Sequence, residues 1–172
     1  MKLFIDTNLI TFWARYEGFV MVGEQDESLA LEHAGWQAEV HALKMLLDWN
    51  EIAGFRFAVS PTILSEMELS PSLHEERSLL QSLVENTLDC IDEEKIRFTD
   101  EAVEAVLPSL GPAFATQNND CRAVAEAIVL ECDIFLSNDT RLVRKIDPLG
   151  RISIMRPTEA VSMWARQFGE KA

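Results

Sequence analysis

Three features of the sequence predict a three-layer α/β/α domain, with a central parallel sheet flanked by helices. Short apolar runs alternate with longer segments of helical periodicity along the chain, the pattern of a parallel sheet covered on both faces. The runs are short and continuous rather than alternating, as expected of strands buried on both sides. With 172 residues, the chain suits one well-cored domain spanning 1–172.

Leu3 to Ile5 is the first buried-type strand, and Asp6-Thr7-Asn8 breaks the apolar run and caps a helix from Leu9 to about Tyr16. Gly18 to Ser28 reads as a loop with an acidic patch at Glu24–Glu27. A long helix is expected from Leu29 to about Ile52, where Trp36, Val40, Leu43 and Leu47 form an amphipathic stripe suited to core or to a subunit contact. Gly54 stops it, and Phe55 to Val59 makes the second strand. Ser60 as cap with Pro61 at the first helical position starts the next helix, which carries Ile63, Leu64, Glu66, Met67 and Glu68 and ends by Pro71. A helix from His74 to about Leu88, a short strand at Ile96–Phe98 and a helix from Thr99 to about Leu107 follow. Pro108 to Asn118 reads as a loop. The next helix has Asp120 in its first turn and leads to a strand at Ile134–Leu136 with Asp139 just beyond. A short helix (Thr140 to Ile146), a turn at Pro148-Leu149-Gly150, a strand at Ile152–Met155 and a helix from Pro157 to about Phe168 complete the order.

No apolar run approaches the roughly 18–20 residues of a membrane span, and no signal-peptide pattern opens the chain. Cys90, Cys121 and Cys132 are odd in number and scattered, which suggests neither a disulfide framework nor a zinc site. A reduced cytoplasm is the expected location. The formal net charge of −14 argues against a protein that grips nucleic acid through bulk charge, since phosphate neutralisation supplies most of that affinity. Charge is uneven, however: Asp139 to Arg156 contains five basic residues and two acids. A basic rim of this kind can receive a phosphodiester if metal ions mask neighbouring carboxylates, although a solvated basic face is the plainer explanation.

Asp6 and Asp139 each follow an apolar strand directly, while Glu66 and Asp120 lie on helices able to flank the same sheet edge. In open α/β sheets ligands bind outside the carboxyl ends of the strands. Acids converging there from separate elements are suited to Mg²⁺ or Mn²⁺, which take oxygen ligands. Each acid also has a simpler role: Asp6 and Asp139 as helix caps, Asp120 as a complement to a helix dipole. Helical spacing alone does not choose between Glu66 and Glu68, which flank the Ile63/Leu64/Met67 stripe on opposite sides.

Taken together, the motifs resemble the PIN-domain family of metal-dependent ribonucleases, which includes VapC-type toxins. The resemblance spans nearly the whole chain. It rests on Phe4-Ile5-Asp6-Thr7-Asn8, on Ser60-Pro61-Thr62-Ile63-Leu64-Ser65-Glu66, and on the helix-to-strand unit from Asp120 through Ala123 and Ala127 to Phe135-Leu136-Ser137-Asn138-Asp139. The family pattern selects Glu66 over Glu68. It implies that Asp6, Glu66, Asp120 and Asp139 ligate Mg²⁺ or Mn²⁺ and carry catalysis, with Asn8 and Ser137 orienting the carboxylates by hydrogen bonds. It further implies endonucleolytic cleavage of RNA to 5′-phosphate and 3′-hydroxyl ends. Arg122, Arg141 and Arg144 are then candidates for backbone-phosphate contacts, each equally explicable as a surface charge.

The chain departs from the compact toxins through the Gly18–Ser28 segment and the long helix after it, and through its acidity. Both departures fit extended helices that bind a cognate antitoxin or a second copy. The alternatives are a housekeeping nuclease of the same fold without an antitoxin, and a non-catalytic RNA- or protein-interaction module. A haloacid-dehalogenase-type phosphatase ranks lower, because its second Asp would fall where this chain has Asn8.

Overall fold

The computed structural model describes residues 1–60, 62–63, 65–66, 99–111, 114 and 118–169. Four strands form one parallel sheet: β1 (Lys2–Ile5), β2 (Arg56–Ala58), β3 (Ile134–Leu136) and β4 (Ser153–Met155), in the spatial order β2-β1-β3-β4. Eight α-helices accompany them among the described residues: α1 (Thr7–Arg15), α2 (Glu17–Val22), α3 (Glu27–Leu31), α4 (Ala34–Ala53), α5 (Asp100–Val106), α6 (Asn118–Val129), α7 (Thr140–Val143) and α8 (Pro157–Gly169). The α/β class with an all-parallel sheet is thus as expected, and the arrangement is compatible with three layers. The expected helix from His74 to Leu88, the strand at Ile96–Phe98, Glu68 and Cys90 lie outside the described residues. Among the described residues no helix is long and apolar enough to cross a membrane.

The two central strands are apolar and closed off from water. Leu3, Phe4, Phe135 and Leu136 are fully buried, and the rings of Phe4 and Phe135 stack across the pair with centroids 4.9 Å apart. Val40, Leu43 and Leu46 bury one face of α4, which packs on α8; there Trp164 stacks on Phe55 at 4.4 Å. The stripe expected on this helix therefore faces the core at Val40 and Leu43, whereas Trp36 at its start is partly exposed and packs edge-on against Phe12.

Two segments differ from the sequence reading. Gly18 to Ser28 is a loop only from Gly23 to Asp26, with the rest in two short helices on either side. Gly23, at φ 74°, ends α2 in the left-handed conformation that glycine adopts without strain, and the Asp26 carboxylate caps α3 by accepting from the Ser28 and Leu29 amides. The long helix accordingly begins at Ala34 rather than Leu29, after a break at Glu32 and His33. Within the segment expected to be a loop after Pro108, Leu107–Leu110 forms a 3₁₀ turn.

The order of strands fixes where a ligand can bind. From β1 the chain steps to β2 on one side, and β3 takes the place on β1's other side before β4 extends the sheet outward. The crevice at the carboxyl ends of β1 and β3 is thus the switch point of the sheet, the usual ligand position in such folds. Ile5 and Leu136 are paired there, and the Asp6 amide donates to the Leu136 carbonyl at 3.1 Å.

Candidate active site

At that crevice the side chains following β1 and β3 form one hydrogen-bonded web. Asp6 accepts from the Thr7 amide at 2.8 Å through Oδ1. Its Oδ2 accepts from Ser137 Oγ at 2.5 Å and from Asn8 Nδ2 at 2.6 Å. Asn8 also accepts from the Asn138 amide at 3.1 Å, and Ser137 Oγ accepts from the Asp139 amide at 3.0 Å. Asn8 and Ser137 thus both donate to the Asp6 carboxylate. The position that would hold a phosphatase's second Asp is occupied by an amide committed to these bonds.

Glu66 reaches the same place from another element. Ser60, fully buried, caps the segment through its Oγ, which accepts from the Ile63 amide at 3.4 Å, and both Thr62 and Glu66 are helical. Thr7 Oγ1 donates to Glu66 Oε2 at 2.7 Å, which ties this acid to the residue beside Asp6. The sequence reading missed Thr7 as part of the site. Its place between the two motif residues Asp6 and Asn8 was the available signal.

The charges of neighbouring acids act on both Asp6 and Asp120. Burial raises the Asp6 carboxyl from 3.8 to about 6; hydrogen bonds from Ser137 and Thr7 oppose the rise, and the charges of Asp120 and Glu66 add to it. Burial also raises Asp120, with Asp139 and Glu66 pushing the same way and Lys145 and Arg141 against. Asp139 is the exception. Burial works to raise it, but hydrogen bonds from the Arg141 side chain and backbone outweigh that and leave it lowered. Asp6, Glu66, Asp120 and Asp139 thus share one electrostatic neighbourhood. They are not drawn into a closed cage: among the described residues, no three His, Cys, Asp or Glu side chains are grouped so that they could hold a metal ion.

The simpler roles of two acids are realised as well. Asp6 caps α1, and Asp139 caps α7 through the Arg141 amide at 2.7 Å. Of the three candidate arginines, Arg141 returns its guanidinium to Asp139 at 3.2 Å and remains largely exposed, and Arg144 is exposed. Arg122 is committed elsewhere: its guanidinium contacts Glu126 at 3.2 Å, Glu104 at 3.1 Å and Asp100. This guanidinium clamps α6 to α5 rather than standing ready for phosphate, which favours a structural role over the expected one. Lys145, which sequence reasoning did not single out, lies near enough to lower Asp120 and sits over the Phe114 ring at 4.9 Å. Comparison with known proteins finds no matching family model, no matching curated relative and no matching solved structure.

Proposed function

We propose that this chain is a Mg²⁺- or Mn²⁺-dependent endoribonuclease of the PIN type, with Asp6, Glu66, Asp120 and Asp139 as the ion-holding and catalytic acids. The observation that carries the reading is the hydrogen-bonded web at the switch point of a parallel sheet, which ties Asp6 to Ser137 beside Asp139 and, through Thr7, to Glu66, with the charge of Asp120 felt at Asp6. Carboxylate oxygens without His or Cys are the donor set of a hard divalent ion. Asp6 and Asp120 are held above their ordinary range partly by neighbouring negative charge, a penalty that a cation relieves. When bound, a divalent ion supplies charge neutralisation and a more acidic water for in-line attack on phosphorus.

The chain's own residues do the rest. Ser137, Asn8 and the Thr7 amide hold the Asp6 carboxylate at one orientation, and Thr7 does the same for Glu66. Arg141 and Arg144, exposed beyond β3, offer positive charge to an incoming phosphate backbone. A cognate antitoxin, or a second copy of the chain, is the partner that the acidity and the added helices suit. A non-catalytic interaction module is the competing reading, and the lack of a closed three-acid group among the described residues favours it.

Cleavage of structured and single-stranded RNA with Mg²⁺, Mn²⁺ or chelator, wild type beside Asp6→Asn, separates the two. The nuclease loses at least about 100-fold of its activity in the variant and all of it in chelator. Activity that survives chelation, or is unchanged in Asp6→Asn, refutes the assignment.

A further inference from the structure

Among the described residues, Glu126 is a buried acid for which the ion-centred reading has no use. It is 1% exposed on α6, and its Oε2 has no hydrogen-bond partner. Its Oε1 accepts from Thr62 Oγ1 at 2.6 Å and from Arg122 Nε at 3.2 Å. A carboxylate in such a place is costly unless it is paired and hydrogen-bonded, so the identity of its partners matters. Thr62 stands four residues before Glu66, and both are helical, so the two side chains lie on one face a single turn apart. Asp120 begins the helix that carries Glu126, about 9 Å earlier along its axis at 1.5 Å per residue. The Thr62–Glu126 bond therefore references the Glu66 segment to the same rigid helix that presents Asp120.

We infer that Glu126 is a positioning residue: through Thr62 it sets Glu66 at its working separation from Asp120, and so tunes divalent-ion affinity at the site. The inference rests on the ion-binding reading above. Glu126 touches neither ion nor substrate. Arg122, anchored on Asp100 and Glu104, holds the Glu126 carboxylate from the other side. Glu66 is thereby fixed twice, by Thr7 at its own carboxylate and by Glu126 one turn earlier.

The test is Mn²⁺ binding to the full chain, read from the electron paramagnetic resonance signal of free Mn²⁺, alongside thermal unfolding in chelator. Replacing Glu126 itself risks unfolding, so the variant is Thr62→Val, which removes the hydroxyl and keeps the shape. Thr62→Val is expected to weaken Mn²⁺ about tenfold, in the range found when groups that orient metal ligands are removed, while Thr62→Ser restores affinity to within about twofold. In Glu66→Gln, adding Thr62→Val should cost nothing further, because the lost bond acts only through Glu66. Independent, multiplicative losses in the double variant, or failure of Ser to restore binding, overturn the inference and leave the ion site standing. If the wild type binds no Mn²⁺, both the ion site and this inference fall.

Discussion

Replacing Asp6 with Asn should stabilise the ion-free protein near neutrality and do nothing for it in acid. The folded carboxyl ionises at about 6, against 3.8 for the ordinary group, which amounts to about 3 kcal/mol against the charged form. Between those two values the native state holds a proton that the unfolded chain has released. The folded state therefore gains as pH falls through that window and carries the full penalty above it. Asparagine removes the penalty but presents an amide to Ser137 and Asn8, both of which donate to Oδ2 in the native protein. One of these bonds must turn or be lost, at about 1–1.5 kcal/mol. The net expectation in chelator is a gain of about 1–2 kcal/mol near pH 8, or roughly 2–8 °C in Tm, shrinking to zero or below near about pH 4. Thermal unfolding of both proteins across that range reads the effect directly. An Asn variant equally or less stable at every pH would show that the Asp6 carboxylate carries no electrostatic penalty for a cation at the switch point to relieve.

Further expectations test other parts of the structure. Asp147 is buried and accepts from the Arg151 amide at 2.6 Å and guanidinium at 2.9 Å. Asp147→Ala should therefore cost about 2–3 kcal/mol by stranding Arg151, measured by urea unfolding. The Arg151 side chain, working against burial, lowers the Asp147 carboxyl, so its contribution persists above the ordinary carboxylate range and fades only as pH falls below it. Asn8→Ala removes the bridge from Asp6 to the Asn138 amide and should cost about 1–2 kcal/mol; a neutral result would deny that the β1 and β3 ends are tied. Leu43→Ala on the inner face of α4, where the side chain is fully buried, should cost about 3 kcal/mol, whereas the same change at exposed Leu31 should fall within about 0.5 kcal/mol. Arg122→Met leaves Glu126 buried without its cation and should lower stability by about 3 kcal/mol; a loss of RNA affinity without one of stability would return Arg122 to the phosphate-contacting set.

The parallel sheet was legible because its two central strands are buried on both faces and carry uninterrupted apolar residues at Leu3-Phe4-Ile5 and Ile134-Phe135-Leu136. Local punctuation served as well: Ser60 caps through its side chain as its position before Pro61 suggested, and Asp6 and Asp139 both cap helices. The Gly18–Ser28 segment failed for an equally physical reason. Two glycines and an acidic run in eleven residues read as loop by composition, yet only Gly23 needs its glycine conformation, while Gly18 sits inside a helix. Long-range partners were beyond reach. The i,i+4 spacing of Arg122 and Glu126 hints at their pairing, but nothing in the sequence indicates that Thr62, from a distant segment, meets the same buried carboxylate. The basic count from Asp139 to Arg156 likewise hid that Arg141 and Arg151 are already paired with Asp139 and Asp147.

Capping and ion binding are not competing uses of the same acids, because a carboxylate offers about four lone-pair sites and a cap takes only one. In Asp6 the Thr7 amide takes one site on Oδ1, and Ser137 and Asn8 take both on Oδ2, so the site left for a cation is on Oδ1. In Asp139 the second oxygen faces Arg141, whose side chain is largely exposed. An exposed pair of this kind is screened by solvent and holds weakly, so it does little to keep Asp139 from a stronger counter-charge. The two strand-end acids thus differ in kind: Asp6 is fixed by neutral donors, and Asp139 by a largely exposed guanidinium. Under the proposed nuclease reading, that difference would link substrate arrival to ion seating through Arg141. Arg141→Gln should then tighten Mn²⁺ binding in the absence of RNA, by removing the charge that competes for Asp139, while weakening RNA binding. Mn²⁺ affinity that falls in this variant would place Arg141 among the groups that support the site rather than among those that compete for it.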